Sequence, residues 1–185
     1  MGRAKAMLPL GGETFLTRIV RTFLDAGVDD VVVVLGHEAD AIVASFAQSG
    51  LPARFVVNPA YDRGQLSSLA AGLAFVDRPG VVAALVTLVD VPLVTSATVR
   101  AVIDCYRRTR ARVVRPTSGV RHGHPLLIDR SLFTALCAAD PETGAKPVVR
   151  AHASTAGDVS VEDEGAFTDI DTVDDYAHVV EKMGS

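Results

Sequence analysis

Apolar positions recur at two different spacings along the chain, and the helical spacing comes first. In residues 14–26 the apolar side chains fall on one helical face, and Gly27 follows as a typical C-terminal cap. The residues of this face are Phe15, Ile19, Val20, Phe23 and Leu24. Residues 28–36 then form a run dominated by valine, which is typical of a strand buried on both faces of a parallel sheet. The pattern predicts a helix followed by a buried strand.

The alternation of helices and strands continues to the end of the chain. Further helices are predicted over residues 39–50, 65–76, 96–108 and 130–139, and further strands over residues 53–58, 80–90, 112–118 and 124–129. Residues 168–183 predict a short extended piece and a closing helix. This order predicts an α/β fold with a mostly parallel sheet, helices on both faces and a ligand crevice beyond the carboxyl ends of the strands.

Composition narrows the class of protein. A chain of 185 residues with 49% hydrophobic content can bury one core, and no linker or repeat divides it, so we expect one domain over residues 1–185. A net charge of −4 without a basic run argues against nucleic acid as a partner, and no apolar stretch is long enough for a membrane span. Cys105 and Cys137 show neither disulfide nor metal spacing, which favours a cytoplasmic protein; a monomer is expected.

Asp90 is the strongest candidate for chemistry, because it directly follows the apolar run of residues 80–89. A carboxylate at that edge of the sheet suits Mg²⁺, which prefers oxygen ligands and is commonly held by one or two carboxylates together with substrate phosphates. The alternative is that Asp90 caps the helix that starts near Ser96. Thr95 or Ser96 would serve better as that cap, so the sequence favours a functional Asp90.

A second acidic segment lies near the end of the chain. Alternation in an extended piece points Asp169 and Asp171 to the same side, so either could complete a metal site with Asp90. The alternative for Asp171 is that it or Thr172 caps the closing helix, and both readings stay open. Lys5 lies in a glycine-flanked stretch and could neutralise a polyphosphate, or it could be an exposed surface lysine.

Two further segments carry polar groups at predicted turns. After Asn58, Gly64 permits close backbone approach, and Ser67 and Ser68 open a helix whose amides could meet a ligand or could be capped without one. The stretch Gly123, His124 and Pro125 lies between short strands, where it could contact a substrate or simply form a turn. The remaining histidines have no zinc spacing, and no serine-hydrolase motif is present.

Six segments of the chain resemble, in order, the motifs of one family. They are GRAKAMLPLGGETFL (residues 2–16), NPAYDRGQLSSLAAGL (58–73), LVDVPLV (88–94), RHGHPLLI (121–128), TGAK (143–146) and DIDTVDDY (169–176). The chain thus resembles the molybdenum-cofactor nucleotidyltransferase-like family. The GHP loop and the DIDT ending resemble its cytidylyltransferase branch more than its guanylyltransferase branch.

The resemblance implies a Rossmann-like three-layer α/β/α nucleotidyltransferase fold and an Mg²⁺-dependent reaction. A nucleoside monophosphate, preferably CMP from CTP, would pass from a nucleoside triphosphate (NTP) to the phosphate of a molybdopterin-type acceptor, with release of pyrophosphate. No general base is needed, because a phosphate oxygen is already ionised at neutral pH. A nucleotidyltransferase for a sugar 1-phosphate or another small phosphate is the alternative within enzymes.

Residue roles follow from the same resemblance. Lys5 would contact the triphosphate and Asp90 would bind Mg²⁺, while Asp169 and Asp171 occupy the C-terminal acidic motif. The nucleotide pocket would be lined by Gly2, Lys5, Asn58, Gly64 and Ser68. The acceptor side would be lined by Gly123, His124 and Pro125.

One departure from the family pattern bears on these roles. The pattern opens with an apolar strand and a loop resembling L-A-A-G-x-S-x-R before the M-G-x-x-K segment, and here the sequence starts at Met1 and Gly2. That piece would supply a central strand and backbone amides for the triphosphate. A binding protein of the same fold without turnover is therefore the alternative from another class.

Overall fold

The computed structural model describes residues 4–184, which form seven α-helices and nine β-strands together with short 3₁₀ turns. The helices are α1 (Phe15–Asp25), α2 (Ala39–Ala47), α3 (Gln65–Val76), α4 (Ser96–Thr109), α5 (Phe133–Cys137), α6 (Lys146–His152) and α7 (Val173–Gly184). The strands are β1 (Pro9–Leu10), β2 (Glu13–Thr14), β3 (Val32–Leu35), β4 (Arg54–Val57), β5 (Ala83–Val86), β6 (Val113–Ser118), β7 (Arg121–His122), β8 (Leu126–Asp129) and β9 (Asp158–Ser160). None of the helices in this range is long and apolar enough to cross a membrane.

The strand pairings are mixed, which corrects the expectation of a mostly parallel sheet. β3 pairs with β4 and β6 pairs with β9 in parallel, whereas β8 lies antiparallel to both β5 and β6, and the hairpin of β6 and β7 is antiparallel. The reason lies in the connections. Helical crossovers return a strand in parallel, but only residues 119–125 separate β6 from β8, so the chain reverses there without a helix.

Three layers follow from the alternation of side chains in β6 and β8. Val113 and Ile128 pack with α3 and α5 on one face of the sheet. Val114 and Leu127, the next residue in one strand and the preceding one in the other, pack with α4 on the opposite face. All four side chains are at most 4% exposed. The sheet is therefore the middle layer between two helical layers, as the fold prediction requires.

An apolar gap lies between β3 and β5. Within residues 4–184, β3 pairs only with β4 and β5 pairs only with β8, so their facing edges have no neighbour. A cavity of about 930 Å³ separates them, and it is covered by apolar residues of α1 and of α3. Asp30, just before β3, accepts a 2.7 Å hydrogen bond from Arg78, just before β5, so the two strands begin side by side. The gap has the surroundings of a buried central strand.

Candidate active site

Asp90 lies where the chain leaves the carboxyl end of β5. The next two residues, Val91 and Pro92, are fully buried, so they fix this turn in the core. The backbone oxygen of Asp90 accepts a 2.8 Å hydrogen bond from the backbone N–H of Ile170, which is also fully buried. Because Asp169 and Asp171 flank Ile170, this one bond brings the C-terminal acidic segment beside Asp90.

The carboxylate of Asp90 lacks the partners that a buried charge needs. Its Oδ1 atom is buried and has no hydrogen-bond partner among residues 4–184. Burial raises the pKa of Asp90, the negative charges of Asp169 and Asp171 raise it further, and Lys5 opposes the shift. A buried carboxylate oxygen without a donor, next to further carboxylates, fits a hard divalent cation.

Lys5 belongs to the same place. It starts a short 3₁₀ turn, and its Nζ donates a 2.7 Å hydrogen bond to Oδ1 of Asp171. The lysine side chain is 29% exposed and that of Asp171 is 63% exposed, so both remain open to a ligand. We call Asp90, Asp169, Asp171 and Lys5 the acidic cluster. No group of three or more His, Cys, Asp or Glu side chains in the described range is close enough to hold a metal alone, so a cation here would need oxygens from a substrate.

The predicted acceptor loop reaches the acidic cluster from β8. His124 donates its backbone N–H to the oxygen of Ala166 at 2.8 Å, and a Cβ on Gly123 would collide with that same oxygen. Burial lowers the pKa of His124, against the opposing effects of a Val86 backbone contact and of the nearby Asp169 and Asp90. The imidazole is therefore kept neutral beside the carboxylates, and Pro125 following it is buried.

A second polar group lies at the start of α3. The side-chain amide nitrogen of Asn58, which is 4% exposed, donates to the hydroxyl oxygens of Ser67 at 2.9 Å and Ser68 at 3.1 Å. Its Oδ1 accepts the backbone N–H of Ala60 at 3.0 Å. We call Asn58, Ser67 and Ser68 the amide cluster. Gly64 precedes α3 with a φ of 92°, a conformation that favours glycine.

The predicted residues thus fall into two groups. Lys5, Asp90, His124, Asp169 and Asp171 come together, and Asn58, Gly64 and Ser68 form the other group. One residue of each group, Lys5 and Ser68, lines the gap between β3 and β5. Gly123 and Pro125 flank His124 in the first group, and Gly2 lies outside the described residues.

The capping alternatives are resolved by local hydrogen bonds. Thr95 caps α4, since its side chain accepts the backbone N–H of Thr98 at 3.3 Å. At α7, Asp175 accepts the backbone N–H of Thr172 at 2.8 Å, and Thr172 accepts that of Asp175 at 3.1 Å, which is a reciprocal capping box. Neither Asp90 nor Asp171 provides the side-chain cap, and the side chain of Asp171 pairs with Lys5 instead.

Two residues of the site have no signal in the sequence. The hydroxyl of Thr87 is buried without a partner in residues 4–184, three positions before Asp90. Asp163 binds the start of α4, more than 60 residues away in the chain. An unpaired hydroxyl and an unpaired carboxylate oxygen, both in the segment that follows β5, mark this segment as the place where buried polar groups of the described residues remain unsatisfied.

Comparison with known proteins shows the family of the chain. A family model described as a MobA-like NTP transferase domain matches residues 1–156. Nicotine blue oxidoreductase of Paenarthrobacter nicotinovorans is 32% identical over 181 residues, which cover 94% of this chain and 87% of that protein.

Solved structures show the same fold. Rv0371c from Mycobacterium tuberculosis H37Rv has a TM-score of 0.82 at 27% identity, covering 98% of this chain and 90% of that one. Its complex with manganese has a TM-score of 0.76 at 28% identity, covering 97% and 93%. A nucleotidyl transferase from Methanothermobacter has a TM-score of 0.78 at 24% identity, covering 97% and 84%, and supports the fold alone.

Proposed function

Because the chain belongs to the MobA-like NTP transferase family, a family of nucleotidyltransferases, we propose that it transfers CMP from CTP to the phosphate of a molybdopterin-type acceptor in the presence of Mg²⁺. An acceptor phosphate oxygen attacks the α-phosphorus of the nucleotide. The bond from that phosphorus to the bridging oxygen breaks, and pyrophosphate leaves with the electron pair. The products are a cytidylylated acceptor and pyrophosphate.

The observation that carries this proposal is the unsatisfied carboxylate of Asp90. A buried, unpaired carboxylate oxygen destabilises the fold unless a bound group compensates for it. Asp169 adds charge of the same sign beside it. When bound, Mg²⁺ supplies Lewis-acid neutralisation of the phosphate oxygens. The role of the chain would be to hold the cation with Asp90, at the end of β5, and with Asp169 beside it.

The other side chains have positioning roles. Lys5 can move from Asp171 to a phosphate oxygen, because their ion pair is exposed and such pairs contribute little to stability. Neutral His124 offers a hydrogen bond without adding positive charge at the acceptor side. Ser68 and Asn58 hold the start of α3 against the same space, where Gly64 leaves room for close approach. No catalytic base is required, since the attacking phosphate is ionised at neutral pH.

The choice of base and acceptor is the finer part of the proposal. It is supported by the GHP loop at residues 123–125 and by the DIDT ending at residues 169–172, which resemble the cytidylyltransferase branch. The location proposed with it is the cytoplasm, which agrees with the two free cysteines, Cys105 and Cys137.

The experiment is pyrophosphate release by the purified chain with Mg²⁺, using CTP, GTP, ATP and UTP in parallel. Each nucleotide is offered alone, with molybdopterin and with a sugar 1-phosphate, and the product is identified by its mass. Release only with the combination of CTP and molybdopterin supports the full proposal. Release with a different nucleotide or a different acceptor would keep nucleotide transfer and change the proposed base or acceptor. A folded chain that binds nucleotide but releases no pyrophosphate is the binding protein without turnover.

Electron transfer is a second candidate, favoured by one specific observation. The relative that matches 94% of this chain is named an oxidoreductase. The test is to incubate the chain with a reduced nicotinamide or a reduced flavin and a quinone-type dye, and to follow the absorbance of both. Dye reduction that depends on the protein and persists in Asp90→Asn would favour this candidate, because electron transfer has no need of the acidic cluster.

A further inference from the structure

Two segments that are far apart in the chain run alongside each other beneath the acidic cluster. Residues 90–95 lead from β5 to α4, and residues 163–170 lead to the C-terminal acidic segment. They touch at three levels, between Thr95 and Asp163, between Leu93 and Gly165, and between Asp90 and Ile170. The two segments run in opposite directions, so the three contacts follow one another in order. We call this pair of contacting segments the seam.

Asp163 makes the contact farthest from the carboxylates. Its Oδ2 accepts from the backbone N–H of Thr95 at 2.9 Å, from the Thr95 hydroxyl at 2.8 Å and from the Thr98 hydroxyl at 2.6 Å. Its Oδ1 accepts from the backbone N–H of Gly165 at 3.1 Å. Thr98 is only 3% exposed. Four hydrogen bonds, three of them to the first turn of α4, fix this carboxylate to a rigid element.

The middle contact is steric. A Cβ on Gly165 would collide with the backbone oxygen of Leu93, so the two backbones are in direct contact there. Below it, Val91 and Ile170 are both fully buried. The two segments are therefore closely packed from Asp163 to the acidic cluster. We expect a displacement of Asp163 to displace Asp169 as well.

The seam restrains two carboxylates, Asp90 and Asp169, that carry charges of the same sign and therefore repel each other. Asp169 directly precedes Ile170, whose backbone N–H donates a 2.8 Å hydrogen bond to the backbone oxygen of Asp90, so the two carboxylates lie on segments in direct contact. Like charges separate unless something holds them. At the acidic cluster itself, the backbone of Ile170 is hydrogen-bonded to that of Asp90. The contacts farther along the seam, at Gly165 and Asp163, supply the remaining restraint.

We propose that Asp163 is a positioning residue that holds Asp169 beside Asp90 and thereby sets the spacing of the cation site. The inference rests on the proposed function, because it needs a cation at the acidic cluster. Asp163 acts through Thr95, Thr98 and Gly165. Residues that orient metal ligands in this way change metal affinity by about 10–100-fold when they are removed.

The experiment is a titration of Mn²⁺ into Asp163→Ala in the presence of a CTP analogue that cannot release pyrophosphate, followed by electron paramagnetic resonance. The control is Asp129→Ala, which also loses hydrogen bonds, from the Tyr106 hydroxyl at 2.6 Å and from the Ser131 N–H at 2.9 Å. Asp129 pairs with Ala83 at the start of β5, so it lies at the opposite end of the sheet from Asp90. Asp163→Asn keeps an acceptor oxygen and is the rescue variant.

The proposal expects Mn²⁺ affinity to fall about tenfold or more in Asp163→Ala. Asp163→Asn should recover most of it, and Asp129→Ala should lower the melting temperature while keeping the affinity of the unmodified chain. If Asp163→Ala does not fold, Thr98→Val removes the 2.6 Å bond to Asp163 together with the 3.3 Å bond from the Thr95 hydroxyl, and it should weaken Mn²⁺ binding severalfold.

Three results would overturn the proposal. Unchanged affinity in folded Asp163→Ala, or in Thr98→Val where that variant stands in for it, would show that the seam does not set the site. An equal loss in Asp129→Ala would make the effect one of general stability. No Mn²⁺ binding by the unmodified chain would remove the proposed metal site itself, and the positioning role with it.

Discussion

The acidic cluster and the amide cluster each contribute a residue to the gap between β3 and β5. They differ in whether their buried polar atoms have hydrogen-bond partners. In the amide cluster, Asn58 donates to two serine hydroxyls and accepts a backbone N–H, so its buried polar atoms are paired. In the acidic cluster, Oδ1 of Asp90 is buried without a partner in the described range, and a neighbouring carboxylate of the same charge raises its pKa. The first arrangement is satisfied by its own atoms, whereas the second leaves a carboxylate oxygen for the proposed cation.

The difference separates residues that shape the site from residues that need a ligand. A satisfied polar group stabilises the fold, and its removal costs free energy of unfolding. A buried charge without a partner lowers the free energy of unfolding, so its removal should stabilise the fold. The same removal should abolish binding of the proposed cation. The two clusters should therefore respond with opposite signs when their central residues are changed.

Asp90→Asn should have the largest effect. The amide keeps the size of the side chain but removes the charge that holds the cation, so pyrophosphate release should fall about 100-fold or more. The measurement is the initial rate with saturating Mg²⁺ and CTP. Near-complete activity in this variant would show that the cation is held elsewhere.

The same variant should be more stable than the unmodified chain in the presence of EDTA. The pKa of Asp90 is raised in the folded protein, so its ionised form opposes folding. The neutral form is fully present below the ordinary pKa of 3.8, and the stability it brings is lost as pH rises through the folded pKa. Melting curves at neutral pH should favour Asp90→Asn, and the advantage should disappear below about pH 3.8. A lower melting temperature at neutral pH would contradict this account.

Asn58→Ala should behave in the opposite way. It removes the buried amide that donates to the hydroxyls of Ser67 and Ser68 and accepts the N–H of Ala60, so the free energy of unfolding should fall by about 1–3 kcal/mol. Urea denaturation measures it. Mn²⁺ affinity of the folded variant should stay unchanged, and a loss of affinity equal to that of Asp90→Asn would mean that the two clusters are one unit.

Lys5→Ala should have the smallest effect. It removes a charged hydrogen-bond donor for a phosphate, which raises KM for the nucleotide about tenfold. Stability should change by less than about 1 kcal/mol, because the ion pair with Asp171 is exposed. Asp171→Asn is the control, since it breaks the same ion pair and leaves the lysine free. If both variants raise KM equally, the ion pair matters and the phosphate contact does not.

Sequence patterns located most elements because they depend on local spacing. The helix predicted over residues 14–26 is α1 at Phe15–Asp25, with Thr14 as its cap. The strand predicted over residues 80–90 is shorter, since only Ala83–Val86 pairs and residues 87–90 turn away to place Asp90. Strand direction escaped prediction because apolar alternation looks the same in either direction, so the expectation of a mostly parallel sheet did not include the antiparallel pairings of β8.

Contacts between distant segments were beyond the reach of the sequence. Alternation predicts that Asp169 and Asp171 point to the same side, which stays a prediction, but no local pattern could show the backbone bond from Ile170 to Asp90, which crosses 80 residues. Asp163 had no motif, since its partners Thr95 and Thr98 lie 68 and 65 residues away. The helix at Lys146–His152 and the strand at Asp158–Ser160 were not predicted, because both are short and only partly buried.

The central claim is that Asp90 holds a divalent cation for nucleotide transfer. Its most direct test is Mn²⁺ binding, by electron paramagnetic resonance, to the unmodified chain and to Asp90→Asn, both with a CTP analogue that cannot release pyrophosphate. We expect the unmodified chain to bind Mn²⁺ and Asp90→Asn to bind it at least about tenfold more weakly. Equal affinity in the two proteins would contradict the account, because the unsatisfied carboxylate would then have no part in holding the metal.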